Sequence, residues 1–276
     1  MSNDAYFKDK VCVITGAGSG IGRALAEALA RRGAKLALSD IDTEGLAETV
    51  RRCEKFGVQI KSDRLNVAER EAVLLYADAV KAHFGKVNQV YNNAGIAHHG
   101  DVIATQFKDI ERIMDVDFWG VVNGTKAFLP MLIESGSGHV VNISSLFGLI
   151  AVPGQSAYNA AKFAVRGFTE ALRQEMLMSG DPVKVTCVHP GGIKTAVARN
   201  ATVVEGLDQK NLAAMFDSKL AMHTPEMAAE TILHGVSRGH GRVLIGWEAK
   251  VLDLFVRSTA SYYQRISAVV QKRFMP

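Results

Sequence analysis

Val11-Cys12-Val13-Ile14-Thr15-Gly16-Ala17-Gly18-Ser19-Gly20-Ile21-Gly22 is an apolar run that enters a glycine-dense turn and leaves along Arg23-Ala24-Leu25-Ala26-Glu27-Ala28-Leu29. The pattern reads as strand, phosphate loop, helix. Glycines 16, 20 and 22 permit a tight turn and close backbone approach, which leaves backbone N–H groups at the helix N-terminus pointing at a diphosphate. Gly16, Ser19, Gly20, Ile21 and Gly22 are the residues that would meet it. Such turns also occur in helix caps that hold nothing, so the surrounding chain has to decide. Asp40 closes the next apolar run, Lys35-Leu36-Ala37-Leu38-Ser39, near the spacing expected for a carboxylate that holds a ribose.

Outward from that stretch, strand and helix patterns alternate. Asp42-Thr43-Glu44 caps a helix with Leu46, Val50, Cys53 and Phe56 at helical spacing, and Gly57 closes it. Residues 58–60 read as a short third strand leading to Leu65-Asn66-Val67. The helix after it carries Val73, Leu74, Tyr76, Ala77 and Val80 and ends at Gly85. A fourth strand over 87–91 runs into Asn92-Asn93-Ala94-Gly95. A long helix follows over 107–133, where Gly120 and Gly124 would admit a neighbouring helix. Residues 139–143 form the fifth strand, 156–178 a second long helix bearing Tyr158 and Lys162, and 183–188 the sixth strand, which ends at His189-Pro190-Gly191-Gly192. After an apolar stretch to Met222 come a helix from Pro225 and a last strand over 243–245. The expectation is an α/β fold: a single Rossmann-type, doubly wound parallel sheet of about seven strands with helices on both faces. In such sheets ligands lie beyond the C-terminal strand ends, where the glycines, Asp40, Asn66 and Asn93 all fall.

Composition narrows the classes. The chain has 276 residues, 48% of them hydrophobic, enough for a sizeable core. Its 32 basic and 28 acidic residues are spread along the chain, giving a net charge of +4 with no basic block to follow a phosphate backbone, so nucleic acid is not an expected partner. Cys12, Cys53 and Cys187 are odd in number and set in apolar surroundings, which suits reduced thiols in a cytoplasmic protein. Metal-ligand spacing is absent, as are a signal pattern after Met1 and any run of the roughly 18 apolar residues a spanning helix needs. Residues 1–250 are expected to form one domain with a substrate lid over about 196–223, and 251–276 an amphipathic helical extension. In that tail Leu252, Phe255, Val256, Thr259, Tyr263, Ile266 and Val270 share helical spacing, with Arg257, Arg265 and Lys272 elsewhere around the helix. Subunit packing or a lid is the favoured role there, ahead of a membrane surface.

With Thr15-Gly16-x-x-x-Gly20-x-Gly22, Asn92-Asn93-Ala94-Gly95, Ser145, Tyr158-x-x-x-Lys162 and Pro190-Gly191-x-Ile193-x-Thr195 in order, the chain resembles the short-chain dehydrogenases/reductases over about residues 8 to 246. The resemblance implies strand order 3-2-1-4-5-6-7, a homotetramer or homodimer, a nicotinamide cofactor, and hydride transfer to or from a carbonyl or alcohol carbon of a small molecule. It also implies roles for single residues. Ser145, rather than Ser144, bonds the substrate oxygen, Tyr158 is the acid/base, and Lys162 supports Tyr158 and holds the nicotinamide ribose. Asn93 lies beside the adenosine ribose, with the alternative of simply capping the strand turn, and Ala94 and Gly95 bind the cofactor beside it. Asn66-Val67 stands at the adenine, where Asp-Val is frequent. Pro190 and Gly191 lead to Ile193 and Thr195, which meet the carboxamide and diphosphate region. One departure stands out: Asp117, in Asp117-x-x-Gly120, replaces the asparagine that usually helps a water-linked proton relay to the lysine.

The chemistry asks for these residue types. Hydride loss from an alcohol requires its proton to leave, so a base must work near neutral pH. Bringing a tyrosine from about 10 to about 7 needs roughly 4 kcal/mol of preference for the phenolate. A unit charge at about 4 Å and an effective dielectric of 20 supplies roughly that amount. Lys162, four residues from Tyr158, shares its helix face, and the oxidised nicotinamide adds a second positive charge. Asp40 can accept from both adenosine ribose hydroxyls and would repel a 2′-phosphate, and Ile41 and Ser19 stand where NADP enzymes of the family often carry a basic residue, so NAD is expected over NADP. His98 and His99 follow the fourth strand near the expected substrate mouth, where two exposed loop histidines are more often bystanders. The leading expectation is an oxidoreductase moving a hydride between NAD(H) and an apolar secondary alcohol or ketone. The alternative is a nucleotide-binding regulator on the same fold, against which Ser145, Tyr158 and Lys162 stand.

Overall fold

A computed structural model describes residues 5–215 and 222–274. The chain runs β1 (Val11–Thr15), α1 (Gly20–Arg31), β2 (Lys35–Asp40), α2 (Thr43–Glu54), β3 (Ile60–Arg64), α3 (Arg70–Phe84), β4 (Gln89–Asn92) and a two-residue β5 (His98–His99). A continuous helical run follows, α4 (Phe107–Met114) and α5 (Gly120–Glu134), joined by a π-helical turn over Asp115–Trp119. Then come β6 (Gly138–Ile143), α6 (Ser156–Ser179), β7 (Val183–Pro190), α7 (Ala196–Arg199), β8 (Thr202–Val203), α8 (Gln209–Met215), α9 (Pro225–Arg238), β9 (Arg242–Ile245), α10 (Trp247–Thr259) and α11 (Tyr263–Phe274).

Seven parallel strands form the central sheet in the order β3-β2-β1-β4-β6-β7-β9. Counted along the chain, that is the expected 3-2-1-4-5-6-7. β1, β4 and β6 are buried along their whole length; β1 reads in sequence as an apolar run rather than as alternation, whereas β4 and β6 bury Gln89, Asn92, His139 and Asn142 among their apolar residues. Successive side chains still part to opposite faces. Cys12 and Ile14 of β1 join Leu25, Leu29, Ile232 and Leu233 of α1 and α9 on one side, while Val13 joins Val73, Val80, Phe128 and Leu132 of α3 and α5 on the other. Sequence order reverses between β1 and β4, so the crevice at their C-terminal ends is the switch point where open α/β sheets bind ligands.

Most boundaries agree with the sequence reading within about two residues, and three features differ. The third strand is Ile60–Arg64, not 58–60: it is a polar edge strand held by main-chain pairing to β2, with Lys61 on Asp63 at 2.8 Å, so apolar patterning marks only its start. Gly120 and Gly124 admit no helix. A Cβ at Gly120 would come within 2.7 Å of Val67 Cγ2, and one at Gly124 within 2.1 Å of Asn92 Oδ1, so these glycines seat the start of α5 against the end of β4 and the chain after β3. The tail is two helices instead of one. Thr259 and Ser258 turn their hydroxyls back to the carbonyls of Phe255 and Leu254, and Ala260 adopts φ +48°, which ends α10. Residues 216–221 of the expected lid, and 275–276 of the tail, lie outside the described residues.

Candidate active site

The glycine loop is shaped by contacts no side chain could share. Gly16 and Gly20 have φ of +66° and +51°. A Cβ on Gly22 would lie 2.0 Å from the Gly16 carbonyl oxygen. Asp40, at the end of β2, accepts from the Gly18 N–H at 2.7 Å and the Asp42 N–H at 2.9 Å. Asn93 donates to the Thr15 and Gly16 carbonyls at 3.0 and 3.1 Å, and the N–H of Ala94 reaches Thr15 Oγ1 at 3.1 Å. Asn93 therefore ties β4 to the loop. Asn66 is engaged locally, with its amide on Glu69 at 2.9 Å and its oxygen accepting from the Ala68 N–H at 3.2 Å, while the Val67 carbonyl accepts from Asn123 at 3.0 Å. Arg23 is an addition to the sequence reading: its guanidinium bonds the Gly18 carbonyl, the Gly45 carbonyl at 3.1 Å and Thr49 Oγ1 at 2.9 Å, pinning the loop onto α2. The only early signal was its place directly after Gly22. The Ser19 side chain makes no capping bond to α1, so the first turn of that helix keeps donors for an anion. A backbone cradle with room only for glycine, uncapped donors and a strand-end carboxylate fit a dinucleotide.

At the other end of the crevice, Ser145, Tyr158, Lys162 and Asp117 meet. Ser145 follows β6 and caps the short turn Leu146–Gly148, accepting from the Phe147 N–H at 3.1 Å. Ser144 instead donates to the Lys162 carbonyl at 2.8 Å and is committed to holding α6. Lys162 Nζ lies 5.4 Å from the Tyr158 ring centroid, 3.4 Å from the Ile143 carbonyl and 3.0 Å from Asp117 Oδ2. Asp117 sits in the π turn, fully buried, and its Oδ1 accepts from the Ile96 N–H at 2.8 Å. Such turns recur at functional sites. Gly95 roofs the pair: a Cβ there would be 3.3 Å from Lys162 Nζ.

Electrostatics follow from that packing. Burial pushes the Tyr158 phenol above its ordinary value; Lys162 pulls it down, Asp117 pushes it up again, and a hydrogen bond with Ser145 lowers it, with a net rise. Burial raises the Asp117 carboxyl against the pull of Lys162 and Ile96. For Lys162 burial lowers the pKa, but the Asp117 charge and Tyr158 outweigh it and its proton is held more firmly. Alone, the Lys162 charge would favour the phenolate, and the carboxylate beside it opposes that effect. Asn159, another addition, donates to the Phe147 and Ile150 carbonyls at 2.8 and 2.9 Å and accepts from Val152 N–H at 3.1 Å, fixing the loop that carries Ser145.

The β7 end supplies the remaining wall. Gly191 donates from its N–H to the Ile245 carbonyl at 3.2 Å, Ile193 is buried and bridges to His223, and the Thr195 side chain lies against Gly20. Pro190 ends β7. His223 pairs with Glu248 at 2.8 Å. His98 and His99 are not exposed loop residues as the sequence suggested. They form β5 against β8, with His98 buried and bonded to Thr202 Oγ1 at 2.9 Å, and burial lowers both pKa values toward the neutral ring. Among the described residues no group of three or more His, Cys, Asp or Glu is placed to hold a metal, and no helix is long and apolar enough to cross a membrane.

The profile of the short chain dehydrogenase family matches residues 10–205. The Mycobacterium tuberculosis protein SadH, designated an oxidoreductase, is 70% identical over 270 residues, covering 98% of this chain and 98% of its own. Among solved structures, a short-chain dehydrogenase/reductase from Burkholderia phymatum in complex with NAD superposes with a TM-score of 0.85 at 28% identity, over 92% of this chain and 95% of that one. An alcohol dehydrogenase from the archaeon Thermococcus sibiricus, complexed with 5-hydroxy-NADP, gives 0.74 at 25% identity, over 86% and 96%.

Proposed function

The chain belongs to the short-chain dehydrogenase/reductase family of oxidoreductases, and from that membership we propose that it transfers a hydride between NAD(H) and an apolar secondary alcohol or ketone, with Tyr158 as the general acid/base. The observation that carries the reading is the convergence of Ser145, Tyr158, Lys162 and Asp117 at the same sheet edge as the glycine loop. The cofactor supplies the hydride acceptor or donor. Gly16, Ser19, Gly20, Ile21 and Gly22 would hold its diphosphate, Asp40 and Asn93 the adenosine ribose, Asn66 and Val67 the adenine, and Ala94 and Gly95 the stretch of cofactor leading toward Lys162. Pro190, Gly191, Ile193 and Thr195 would flank the nicotinamide half.

In alcohol oxidation Ser145 orients the substrate oxygen by hydrogen bonding, and the hydroxyl proton passes to the phenolic oxygen of Tyr158 as the C–H bond gives up its hydride. In ketone reduction Tyr158 returns that proton. Lys162 stabilises the phenolate and would also hold the nicotinamide ribose, while Asp117 tempers the lysine charge. The buried setting of Lys162 and Asp117 excludes water that would screen these charges. Residues 196–223 would act as a lid whose apolar composition suits an apolar substrate.

Preference for NAD rests on Asp40, since its charge opposes a 2′-phosphate and Asp42 adds a second carboxylate close by. A panel of secondary alcohols and ketones offered with NAD and with NADP, followed by nicotinamide absorbance, tests the reading. NAD should give the higher kcat/KM, and replacing Asp40 by Ala with Ile41 by Arg should shift preference to NADP. Equal efficiency with both cofactors would sink the assignment of Asp40.

A further inference from the structure

The sequence pattern gives the C-terminal segment one apolar face, and the structure shows two. Leu252, Phe255, Val256 and Thr259 are half-buried and Ala249 and Tyr263 buried, so the inner face is already covered by the body of the protein. Tyr263 Oη also accepts from the Ala151 N–H at 3.2 Å. Facing outward, Trp247, Val251 and Leu254 are 67, 56 and 67% exposed, and Tyr262, Ile266 and Val269 are 60, 40 and 70% exposed. Each trio is spaced i, i+4, i+7: the first lies along one side of α10, and in the second Ile266 and Val269 share a side of α11 while Tyr262 ends the short 3-10 turn that leads into it.

The two stripes repeat one pattern. Trp247-x-x-Lys250-Val251-x-x-Leu254-x-x-Arg257 recurs fifteen residues later as Tyr262-x-x-Arg265-Ile266-x-x-Val269-x-x-Lys272. An aromatic ring with a polar atom opens each stripe, and cations follow at its flank; Lys250, Arg257 and Arg265 are exposed. The acidic groups of the segment are engaged: Glu248 with His223 at 2.8 Å, and Asp253 with Arg257 at 3.0 Å and Arg242 at 3.7 Å. No acidic residue follows Asp253.

We propose that this outer face of α10 and α11 docks on an anionic lipid surface. Helices that are apolar on both sides need a cover on each. A bilayer interface accepts aromatic rings at headgroup level, takes aliphatic side chains just beneath, and attracts the flanking cations to anionic headgroups. A second copy of the chain is the poorer cover, because a two-fold contact through this face would set Lys250 and Arg265 against the same cations, with its carboxylates already engaged. Glu248 reaches Gly191 and His223 from the first turn of α10, so the docked face adjoins the β7 end of the crevice. The docking does not depend on the substrate reading above.

Flotation of the full-length protein with vesicles of phosphatidylcholine alone, and of an equimolar mixture with phosphatidylglycerol, tests it. The protein should float with the mixed vesicles, stay behind with the neutral ones, and be released as salt is raised. Lys250→Gln with Arg265→Gln should lower the partition about thirtyfold, and Leu254→Ser with Val269→Ser more than about tenfold. Lys55→Gln with Arg238→Gln, at helix ends on the opposite sheet edge, should leave it unchanged. Failure to float, equal partition into both vesicles, or indifference to both face variants would overturn the proposal. So would a fall in solution mass on Leu254→Ser with Val269→Ser, which would make the face an interface between copies.

Discussion

Asp117 and Lys162 sit 3.0 Å apart with almost no solvent contact, so neither charge acts on Tyr158 alone. An asparagine at 117 would keep an oxygen for the Ile96 N–H and remove the charge that raises Tyr158. Lys162 would then favour the phenolate without opposition. Asp117→Asn should accordingly remain active and move the alkaline-side rise of alcohol oxidation to lower pH; a pH–rate profile of both proteins on one substrate measures it. A profile that stays put or moves to higher pH would mean that the carboxylate does not reach the tyrosine electrostatically. At this scale the sequence named the four residues and flagged Asp117, but not the ion pair. Its geometry depends on a π turn in α4–α5 that no local pattern announces.

At the level of elements, the strand–loop–helix at β1 and α1 was readable because its constraints are local: an apolar run, positive φ at two glycines, and a third glycine where a Cβ cannot fit. Gly22→Ala should weaken cofactor binding well before it unfolds the protein, with about 1–3 kcal/mol lost in stability from overpacking against the Gly16 carbonyl. Thermal unfolding beside a cofactor titration separates the two effects. What the sequence hid are elements defined by distant partners. β3 is set by its pairing with β2, and β5 by β8, which withdraws His98 from solvent. Likewise, Asn159 is an ordinary helix residue in sequence and becomes the clamp of the Ser145 loop only through contacts with Phe147, Ile150 and Val152. The tail belongs to this class too. Because Tyr263 reaches Ala151 in the loop joining Ser145 to α6, deleting the residues after Lys250 should change substrate kinetics more than NAD affinity. Unchanged kinetics after truncation would count against that coupling.

For the whole molecule, two histidines buried in the sheet set an acid limit. Burial, with Lys184, Lys10 and Arg173 nearby, holds His139 down to about 3, and burial holds His189 down to about 4, against the favourable contact with the Ser145 carbonyl. Both stay neutral in the folded state where an unfolded histidine would take a proton, so the unfolded chain binds more protons and stability falls as pH drops below about 6.5. Each should cost on the order of 3 kcal/mol by pH 4, and urea unfolding across that range, with His139→Gln and His189→Gln flattening the slope, checks it. The fold as a whole was legible because strand and helix patterns alternate along the chain, and parallel strands put every ligand-facing loop on one edge. The central claim is that this edge performs hydride transfer through Tyr158. Its most direct test compares the wild type and Tyr158→Phe on a secondary alcohol the wild type oxidises, following nicotinamide absorbance and, in parallel, NAD binding. The account predicts turnover lost and NAD affinity near wild type, since the ring stays and only the ionisable oxygen goes; substantial turnover in Tyr158→Phe would contradict it.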